Sequence, residues 1–213
     1  MDLPVKTNLV VTSDSDPIAH YYQPLIGYFF RRRLEMGLEM LGDQKFQKLL
    51  EIGYGSGILL KTLRPFAQEL YGIDLHDKSD LVERSLAKEG VRAHLSQDNI
   101  LQMKFSDQFF DALLCFSVLE HLTETEQAFS EIVRVLKPGG IAIIGFPAVN
   151  KWMNTLFNVT GGKEAVEHQH VTDHWSNLAA CEKFMQIEQV RYFPIFFPKA
   201  LTMYMVCKCT RKA

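Results

Sequence analysis

The sequence predicts an α/β fold in which a mostly parallel sheet carries helices on both of its faces. Two observations predict this fold: short apolar segments of strand type alternate with helical segments along most of the chain, and a glycine-rich turn joins the first strand to the helix that follows. At 213 residues, the chain has a length suited to one α/β domain. We therefore expect residues 1–213 to form a single domain.

Seven segments have the composition of buried strands. In chain order they are Lys48–Ile52, Glu69–Asp74, Val91–Ser96, Phe109–Phe116, Ile141–Phe146, Met185–Tyr192 and Leu201–Thr210. Helices are predicted over Ile58–Phe66, Lys78–Glu89, Thr123–Leu136 and Thr172–Phe184. The last two strands are joined by a link too short for a helical crossover, so we expect them to pair antiparallel.

An N-terminal helical cap is predicted over about residues 15–42, as one long helix or a helix pair. Asp16 suits the N-cap position, Pro17 the first helical position and Gly42 the end of the helix. The run Arg31-Arg32-Arg33 lies inside this helix. We interpret it as a solvated or salt-bridged face.

Composition and charge exclude several classes of protein. The net charge of −2 and the pI of about 6.4 differ from the basic footprint of a nucleic-acid binder. No segment has the ~20 apolar residues that a membrane-spanning helix needs, and the N-terminus lacks a secretory signal. The four cysteines lack zinc-site spacing and suggest buried free thiols in a reducing cytoplasm. We expect a cytoplasmic protein without nucleic-acid partner, membrane insertion or metal, and of open oligomeric state.

A glycine loop, Glu51-Ile-Gly53-Tyr-Gly55-Ser-Gly57, carries the functional argument. Its glycines permit a sharp turn and close approach to a ligand, and the next helix begins with free N–H groups. The dinucleotide fingerprint would place its third glycine at Ile58, and no P-loop Gly-Lys-Ser/Thr triplet follows. The carboxylate of Glu51 would repel a pyrophosphate but suits a cationic, amino-acid-like ligand.

Two further acidic residues end the next strands. Asp74 follows Gly53 by 21 residues and can accept both hydroxyls of a ribose. Asp98 follows the third strand and could accept a hydrogen bond from an exocyclic amine. Acidic groups at three successive strand ends describe a pocket for a nucleoside that bears a positive charge.

Five segments in order carry a family resemblance: LLEIGYGSG, YGIDL, QDNI, FDALLCFSVLEHL and EIVRVLKPGGIAIIGFP. With these segments the sequence resembles the class I S-adenosylmethionine-dependent methyltransferases, particularly the small-molecule (type 11) group. The resemblance implies a Rossmann-like three-layer sandwich whose seven-stranded, mostly parallel sheet has the order 3-2-1-4-5-7-6, with strand 7 antiparallel. It also implies S-adenosylmethionine as cofactor and methyl transfer to a small-molecule acceptor by direct displacement.

The resemblance implies a cofactor site residue by residue. It places Glu51, Gly53, Gly55 and Gly57 around the methionine part of the cofactor, and Phe116 near the methionine end. It places Asp74 at the ribose and Leu75 beside the adenine. It implies that Asp98, Asn99 and Ile100 contact the base. Tyr54 departs from the family pattern, which more often has a small residue there. Its ring would either narrow the pocket or point away from it.

Histidines are the candidate general bases, because the family has no universal catalytic residue. His121 follows the fourth strand, near where the methyl group should emerge. His170 lies in a cluster with His168 and His174, near two carboxylates. That cluster would contact the substrate, build a hydrogen-bond network at a helix start or bind a metal, although the displacement needs no metal.

The acceptor side should be formed by the N-terminal cap and by a lid insertion over about residues 147–170. Both are rich in aromatic residues, which indicates a small, apolar or aromatic acceptor. Two alternatives stay open. A non-catalytic cofactor-binding or regulatory protein would have the same cofactor site. A nicotinamide-dependent oxidoreductase would need the third glycine one position later and a proton-transfer dyad that the sequence does not show.

Overall fold

The structure, a computed structural model, describes residues 1–13, 16–148, 172–194, 198 and 201–212. Within these ranges seven strands form one sheet: β1 Phe46–Ile52, β2 Ala67–Asp74, β3 His94–Gln97, β4 Phe110–Phe116, β5 Leu136–Pro147, β6 Met185–Phe193 and β7 Tyr204–Arg211. The strand order is β3-β2-β1-β4-β5-β7-β6. Strands β1 to β5 pair in parallel, whereas β7 is antiparallel to both β5 and β6. The predicted fold class and strand order are confirmed.

The central strands are apolar on both faces, because helices cover both sides of the sheet. Successive residues of a strand point to opposite faces, so Leu113 and Leu114 of β4 belong to two different hydrophobic cores. In the same way Leu49 and Leu50 of β1 separate into the two cores, and all four side chains are fully buried. The sheet is therefore the middle layer of a three-layer sandwich.

Six helices lie within the described ranges: α1 Ile18–Tyr21, α2 Pro24–Leu41, α3 Ile58–Leu63, α4 Ser79–Lys88, α5 Thr125–Val135 and α6 His174–Phe184. Helices α1 to α4 pack on one face of the sheet, and α5 and α6 pack on the other. The N-terminal region is a helix pair, because Pro24 begins a second helix at its first turn. Pro17 precedes α1 as its N-cap residue, and the carboxylate of Asp16 accepts the Ile18 N–H at 3.2 Å.

Helix α2 packs unusually close to the carboxyl ends of β4 and β5. A Cβ atom at Gly37 would lie 2.4 Å from Cζ of Phe116 and 2.8 Å from Cγ2 of Ile143, so only glycine permits this approach. The contact places the N-terminal helix pair beside the end of β4, where the glycine loop also lies.

The N-terminal arm, residues 1–13, is tied to α3 and α4 by the buried carboxylate of Glu89. This carboxylate accepts the Val5 backbone N–H at 3.0 Å, the Asn8 amide at 2.5 Å and the Lys61 ammonium at 3.0 Å. The three donors hold the pKa of Glu89 below its usual value, with the Asn8 hydrogen bond as the largest cause.

Strand β5 begins earlier than predicted. It starts at Leu136, directly after α5, whereas the sequence pattern predicts a start at Ile141. Leu136 pairs with Phe110 and Ile141 pairs with Ala112, so the residues between Leu136 and Ile141 form a bulge, and Gly139 has a φ of 72°. The Lys-Pro-Gly-Gly segment is thus part of an irregular strand and not a separate turn.

The four cysteine side chains lie inside the protein. Cys115, Cys181, Cys207 and Cys209 are all free and buried. In the part of the chain that the structure describes, no helix combines the length and the apolar character that crossing a membrane requires.

Candidate functional site

The glycine loop between β1 and α3 depends on backbone conformations that favour glycine. Gly53, Gly55 and Gly57 have φ values of 77°, 49° and 79°. The Gly53 N–H donates to the carbonyl of Ile73 in β2 at 2.8 Å, and a Cβ atom at Gly53 would lie only 2.4 Å from Cγ2 of Val118. The loop is therefore clamped between β2 and the segment after β4.

Gly55 is the open point of this loop. A Cβ atom there would meet no atom within 4 Å. Its N–H donates to Oδ2 of Asp74 at 2.8 Å. The Asp74 side chain at the end of β2 thus holds the backbone of Gly55, the one glycine of this loop that has free space at its Cβ position.

Gly55 also lines a cavity of about 160 Å³ at the carboxyl ends of β1 and β4. The glycine loop and Glu51 form one wall, the helix pair forms the opposite wall with Tyr21 and Arg33, and Phe116 lies at the end of β4. Of the residues predicted for the methionine part, Glu51, Gly53, Gly55 and Phe116 line this cavity. Gly57 is not one of its lining residues and faces Val82 and Leu86 of α4 instead.

Glu51 is a buried acidic residue of this cavity. It is 6% exposed, and within the described ranges its Oε2 atom has no hydrogen-bond partner. Burial raises the pKa of Glu51 well above its usual value, and the nearby charge of Asp74 adds to this effect. A buried carboxyl oxygen without a partner is costly, so the site is suited to a ligand that brings a cationic donor.

Asp74 and Leu75 offer a polar and an apolar surface next to each other. Besides the Gly55 N–H, the Asp74 carboxylate accepts the Leu75 N–H through Oδ1 at 2.7 Å. Oδ1 also accepts the His76 backbone N–H at 3.4 Å, whereas Oδ2 accepts the Gly55 N–H. Because each carboxylate oxygen has two lone pairs, Oδ2 keeps the capacity to accept a hydroxyl group. The Leu75 side chain is 67% exposed, which gives a flat ring an apolar surface to lie on.

Asp98, Asn99 and Ile100 form the next loop, and the first two shape that loop. The Asp98 carboxylate is buried and accepts the N–H groups of Asn99 at 2.9 Å and Lys104 at 2.8 Å. The Asn99 side chain caps a short 3-10 turn that begins at buried Ile100. The Asp98 N–H donates to the carbonyl of Asp74 at 2.9 Å, which joins this loop to the ribose candidate.

Arg33 is a residue of the cavity that the sequence interpretation missed. Its Nη1 donates to Oγ of Ser117 and its Nη2 donates to the hydroxyl of Tyr21, both at 2.9 Å. Its Nε is buried without a hydrogen-bond partner in the described part of the chain. Ser117 has a φ of 55°, an uncommon value for a residue other than glycine.

The interpretation of the arginine run as a salt-bridged face holds for Arg32, which contacts the carboxylate of Glu39, but it is wrong for Arg33. Arg33 lies one helical turn before Gly37, the glycine that contacts the sheet. That i, i+4 spacing places Arg33 on the buried face of α2 and is the signal that could have identified it.

Tyr54 turns its ring toward β2. The ring lies edge-on to His76, with a centroid distance of 4.9 Å, and a Cβ atom at Gly72 would come within 2.9 Å of it. Tyr54 is buried at 3% exposure, and no partner for its hydroxyl lies among the described residues. Gly72 therefore makes the room that the large side chain needs, while the rest of Tyr54 borders the cavity.

The histidine candidates are only partly within the described ranges. His121 is exposed on a short 3-10 turn, Leu119–His121, directly after β4. His170 and His168 lie outside the described residues. His174 is the buried first residue of α6, and burial lowers its pKa. No group of three or more potential metal ligands occurs among the residues that the structure describes.

Glu120, next to His121, is a second buried acid that the sequence interpretation missed. It is 2% exposed, and within the described ranges its Oε2 has no hydrogen-bond partner. Burial raises its pKa to about 7, although its own backbone N–H, the charge of Arg33 and the Ser117 hydroxyl act in the opposite direction.

Comparison with known proteins identifies the family. The type 11 profile, described as a methyltransferase domain, matches residues 50–144. A ubiquinone biosynthesis O-methyltransferase of Rickettsia canadensis is 31% identical over 117 residues, which are 53% of this chain and 49% of the relative. A sterol 24-C-methyltransferase of Aspergillus fumigatus is 30% identical over 119 residues, 54% of this chain and 30% of the relative. The chain thus spans half or less of the length of these relatives.

Solved structures share the fold. The N-methyltransferase NodS of Bradyrhizobium japonicum, solved in complex with S-adenosyl-L-homocysteine, superposes with a TM-score of 0.70 at 18% identity and with 95% coverage of each chain. The NodS structure shows a shared fold, whereas the domain match and the curated relatives show similarity of sequence. Together they show that residues 50–144 are a methyltransferase domain of the type 11 group, in a chain that has the fold of S-adenosylmethionine-dependent methyltransferases.

Proposed function

We propose that this protein transfers the methyl group of S-adenosylmethionine to a small, apolar or aromatic acceptor. The observation that carries the proposal is the cavity at the glycine loop, where the buried Oε2 of Glu51 has no partner within the described ranges. The amino group of a methionine moiety is a cationic donor of the kind that this oxygen needs. The family membership supports the same cofactor.

Each predicted cofactor residue has a physical task in this proposal. Glu51 would bind the amino group, and the loop glycines would let the backbone approach the methionine part. Asp74 would accept the ribose hydroxyls, and Leu75 would pack against the base. Asp98 acts mainly by shaping its loop, so Asn99 and Ile100 would contact the base beside it. Phe116 would border the methionine end.

Bound S-adenosylmethionine supplies a methyl group that is already activated on a sulfonium. The chain's own residues then need to align the acceptor and to exclude water. Gly37 lets α2 pack against Phe116, and Tyr21 and Arg33 of the helix pair line the cavity. The acceptor would therefore lie beside this helix pair. His121 and His170 remain our candidates for accepting the acceptor's proton.

Aromatic side chains support an apolar or aromatic acceptor. Tyr21 and Phe30 meet edge to face with a centroid distance of 5.3 Å, and Phe29 packs against Phe193 at 5.6 Å. Of these rings Tyr21 lines the cavity, and the others pack around it on the helix pair and β6. An aromatic surface of this kind offers contact area to planar or apolar molecules. The lid predicted over about residues 147–170 lies, apart from residues 147 and 148, outside the described residues. Residues 1–213 would form one methyltransferase domain in the cytoplasm.

The proposal is tested by incubating the protein with methyl-tritiated S-adenosylmethionine and with extracts divided into small-molecule, lipid, protein and nucleic-acid fractions. Protein-dependent label in the small-molecule fraction is expected. Label in the nucleic-acid or protein fraction would refute the acceptor class. Cofactor binding by calorimetry without label in any fraction would indicate a non-catalytic binder, and preferential binding of NAD would refute the cofactor.

A further inference from the structure

We propose that His76 is a positioning residue that holds the glycine loop in the shape that receives the cofactor. The inference rests on the proposed placement of the cofactor at this loop. His76 lies two residues after Asp74, in the link between β2 and α4, and its side chain is 11% exposed.

The His76 ring reaches the open point of the loop. Its Nε2 lies 3.0 Å from the carbonyl oxygen of Gly55. The Gly55 N–H donates to Oδ2 of Asp74 at 2.8 Å. Both backbone polar groups of Gly55 are therefore hydrogen-bonded to side chains, one from the last residue of β2 and one from the link that follows it.

The other ring nitrogen fixes the direction of this hydrogen bond. Nδ1 of His76 lies 3.1 Å from the backbone nitrogen of Lys78, which can only donate. Nδ1 must therefore accept, and the proton of the neutral ring is on Nε2. The Nε2–H then donates to the Gly55 carbonyl. Two backbone groups thus determine the tautomer and the orientation of the ring.

Packing holds the ring in this orientation. Tyr54 meets it edge-on with a centroid distance of 4.9 Å and an interplanar angle of 81°. Tyr54 itself is buried, so the aromatic pair joins the loop to the link after β2. His76 thus contacts two successive residues of the loop, one through its ring face and one through a hydrogen bond.

Gly55 needs such support because it has the weakest restraint of its own. Its φ of 49° is one of many conformations open to glycine, and no atom lies within 4 Å of the position of a Cβ. Without the His76 hydrogen bond, the Gly55 carbonyl could turn toward the cavity. Ordering the loop would then oppose cofactor binding.

Three substitutions separate the hydrogen bond from other effects. His76→Gln keeps a donor near the position of Nε2, His76→Asn keeps only an acceptor near Nδ1, and His76→Ala removes both. The probe is S-adenosylhomocysteine, whose dissociation constant is measured by isothermal titration calorimetry, with the thermal unfolding midpoint measured alongside. We expect the Ala and Asn variants to bind about 3- to 10-fold more weakly and the Gln variant to bind within about twofold of wild type.

Two control variants make the outcomes distinct. His94→Gln is a matched control, because His94 also packs on a tyrosine at 4.9 Å but lies at the exposed start of β3; it should bind like wild type. Asp74→Ala should weaken binding more than tenfold, since removing a charged partner loses about 1.5–3 kcal/mol. The role of His76 would be overturned if the Gln, Asn and Ala variants all bound S-adenosylhomocysteine equally more weakly than wild type. It would also be overturned if none of the three bound more weakly although Asp74→Ala did. Unchanged binding in the Asp74 variant as well would overturn the cofactor placement.

Discussion

The guanidinium of Arg33 donates a hydrogen bond of 2.9 Å to the hydroxyl of Ser117, and so connects the N-terminal helix pair to the end of β4. The same hydroxyl lies 2.9 Å from the hydroxyl of Tyr204, the first residue of β7. Three separate elements therefore meet at one serine beside the cavity. The connection explains how Ser117 is held at a positive φ, because partners on two sides determine where its side chain lies.

Tyr204→Phe should destabilise the protein by about 1 kcal/mol, since it removes one buried hydrogen bond of Ser117 and leaves the packing intact. Tyr204 is 1% exposed, and burial raises its pKa, so the phenol stays protonated. Urea unfolding measures the change. Tyr71→Phe is the matched control: its hydroxyl bonds to Glu69 at the surface, and a change within about 0.5 kcal/mol is expected. Equal losses in both variants would contradict the structural role of the Ser117 contact.

Gly53→Ala should destabilise by about 2–5 kcal/mol, the sum of the left-handed backbone and a clash with Val118. Gly90→Ala is the control for the backbone alone, because Gly90 follows the end of α4 with a φ of 72° and has no neighbouring atoms within 4 Å of a Cβ; it should lose about 1–2 kcal/mol. Adding Val118→Ala to Gly53→Ala should recover part of the difference. If both glycine variants lose the same stability, the close contact with Val118 does not exist.

Glu120→Gln should stabilise the protein at pH 8 but not at pH 5. Burial raises the pKa of Glu120 in the folded protein from the ordinary value of 4.5 to about 7. Between these two values the folded protein binds more protons than the unfolded chain. Wild-type stability therefore falls as the pH rises through this window, by roughly 3 kcal/mol in total from this group. Denaturant unfolding at the two pH values tests the difference. Parallel pH dependences in wild type and variant would show that Glu120 titrates normally.

Glu51→Gln should abolish a proton release that accompanies cofactor binding. Because the pKa of Glu51 is raised in the free protein, the ammonium group of a bound ligand must displace the proton of the Glu51 carboxyl. The affinity of the wild-type protein for S-adenosylhomocysteine should therefore increase with pH until the pH passes the pKa of Glu51. Calorimetry in buffers of different ionisation enthalpy counts the protons. The variant should bind more weakly and release fewer protons; the same proton count in both would remove Glu51 from the linkage.

The parallel strands and the glycine loop could be predicted from patterns that are local in the chain, whereas the order of the strands was implied by the family resemblance. Alternating segments predict the parallel strands, and the positive φ values of Gly53 and Gly55 are what a glycine-rich turn after a strand requires. The early start of β5 could not be predicted, because Lys137-Pro138-Gly139-Gly140 is typical of a turn and its pairing with β4 depends on the neighbouring strand.

Side-chain roles inside the cavity were harder to predict. Arg33 belongs to a basic run that is typical of a helix surface, yet its long stem carries the guanidinium into the cavity beside Ser117. Composition cannot show which of three adjacent arginines points inward; that depends on the depth at which α2 packs. The role of His76 likewise depends on a tautomer that only the Lys78 and Gly55 backbone groups determine.

The buried carboxylate of Glu89 has a consequence for the motion of the N-terminal arm. Chain termini usually fray, and their amide hydrogens exchange quickly with solvent. Here the Val5 N–H and the Asn8 side chain share one acceptor with Lys61 of α3, and Ser85 of α4 donates to the Asn8 carbonyl at 2.5 Å. The arm should therefore open together with α3 and α4 as one cooperative unit, so the Val5 amide should exchange at the rate of the helices to which it is bonded.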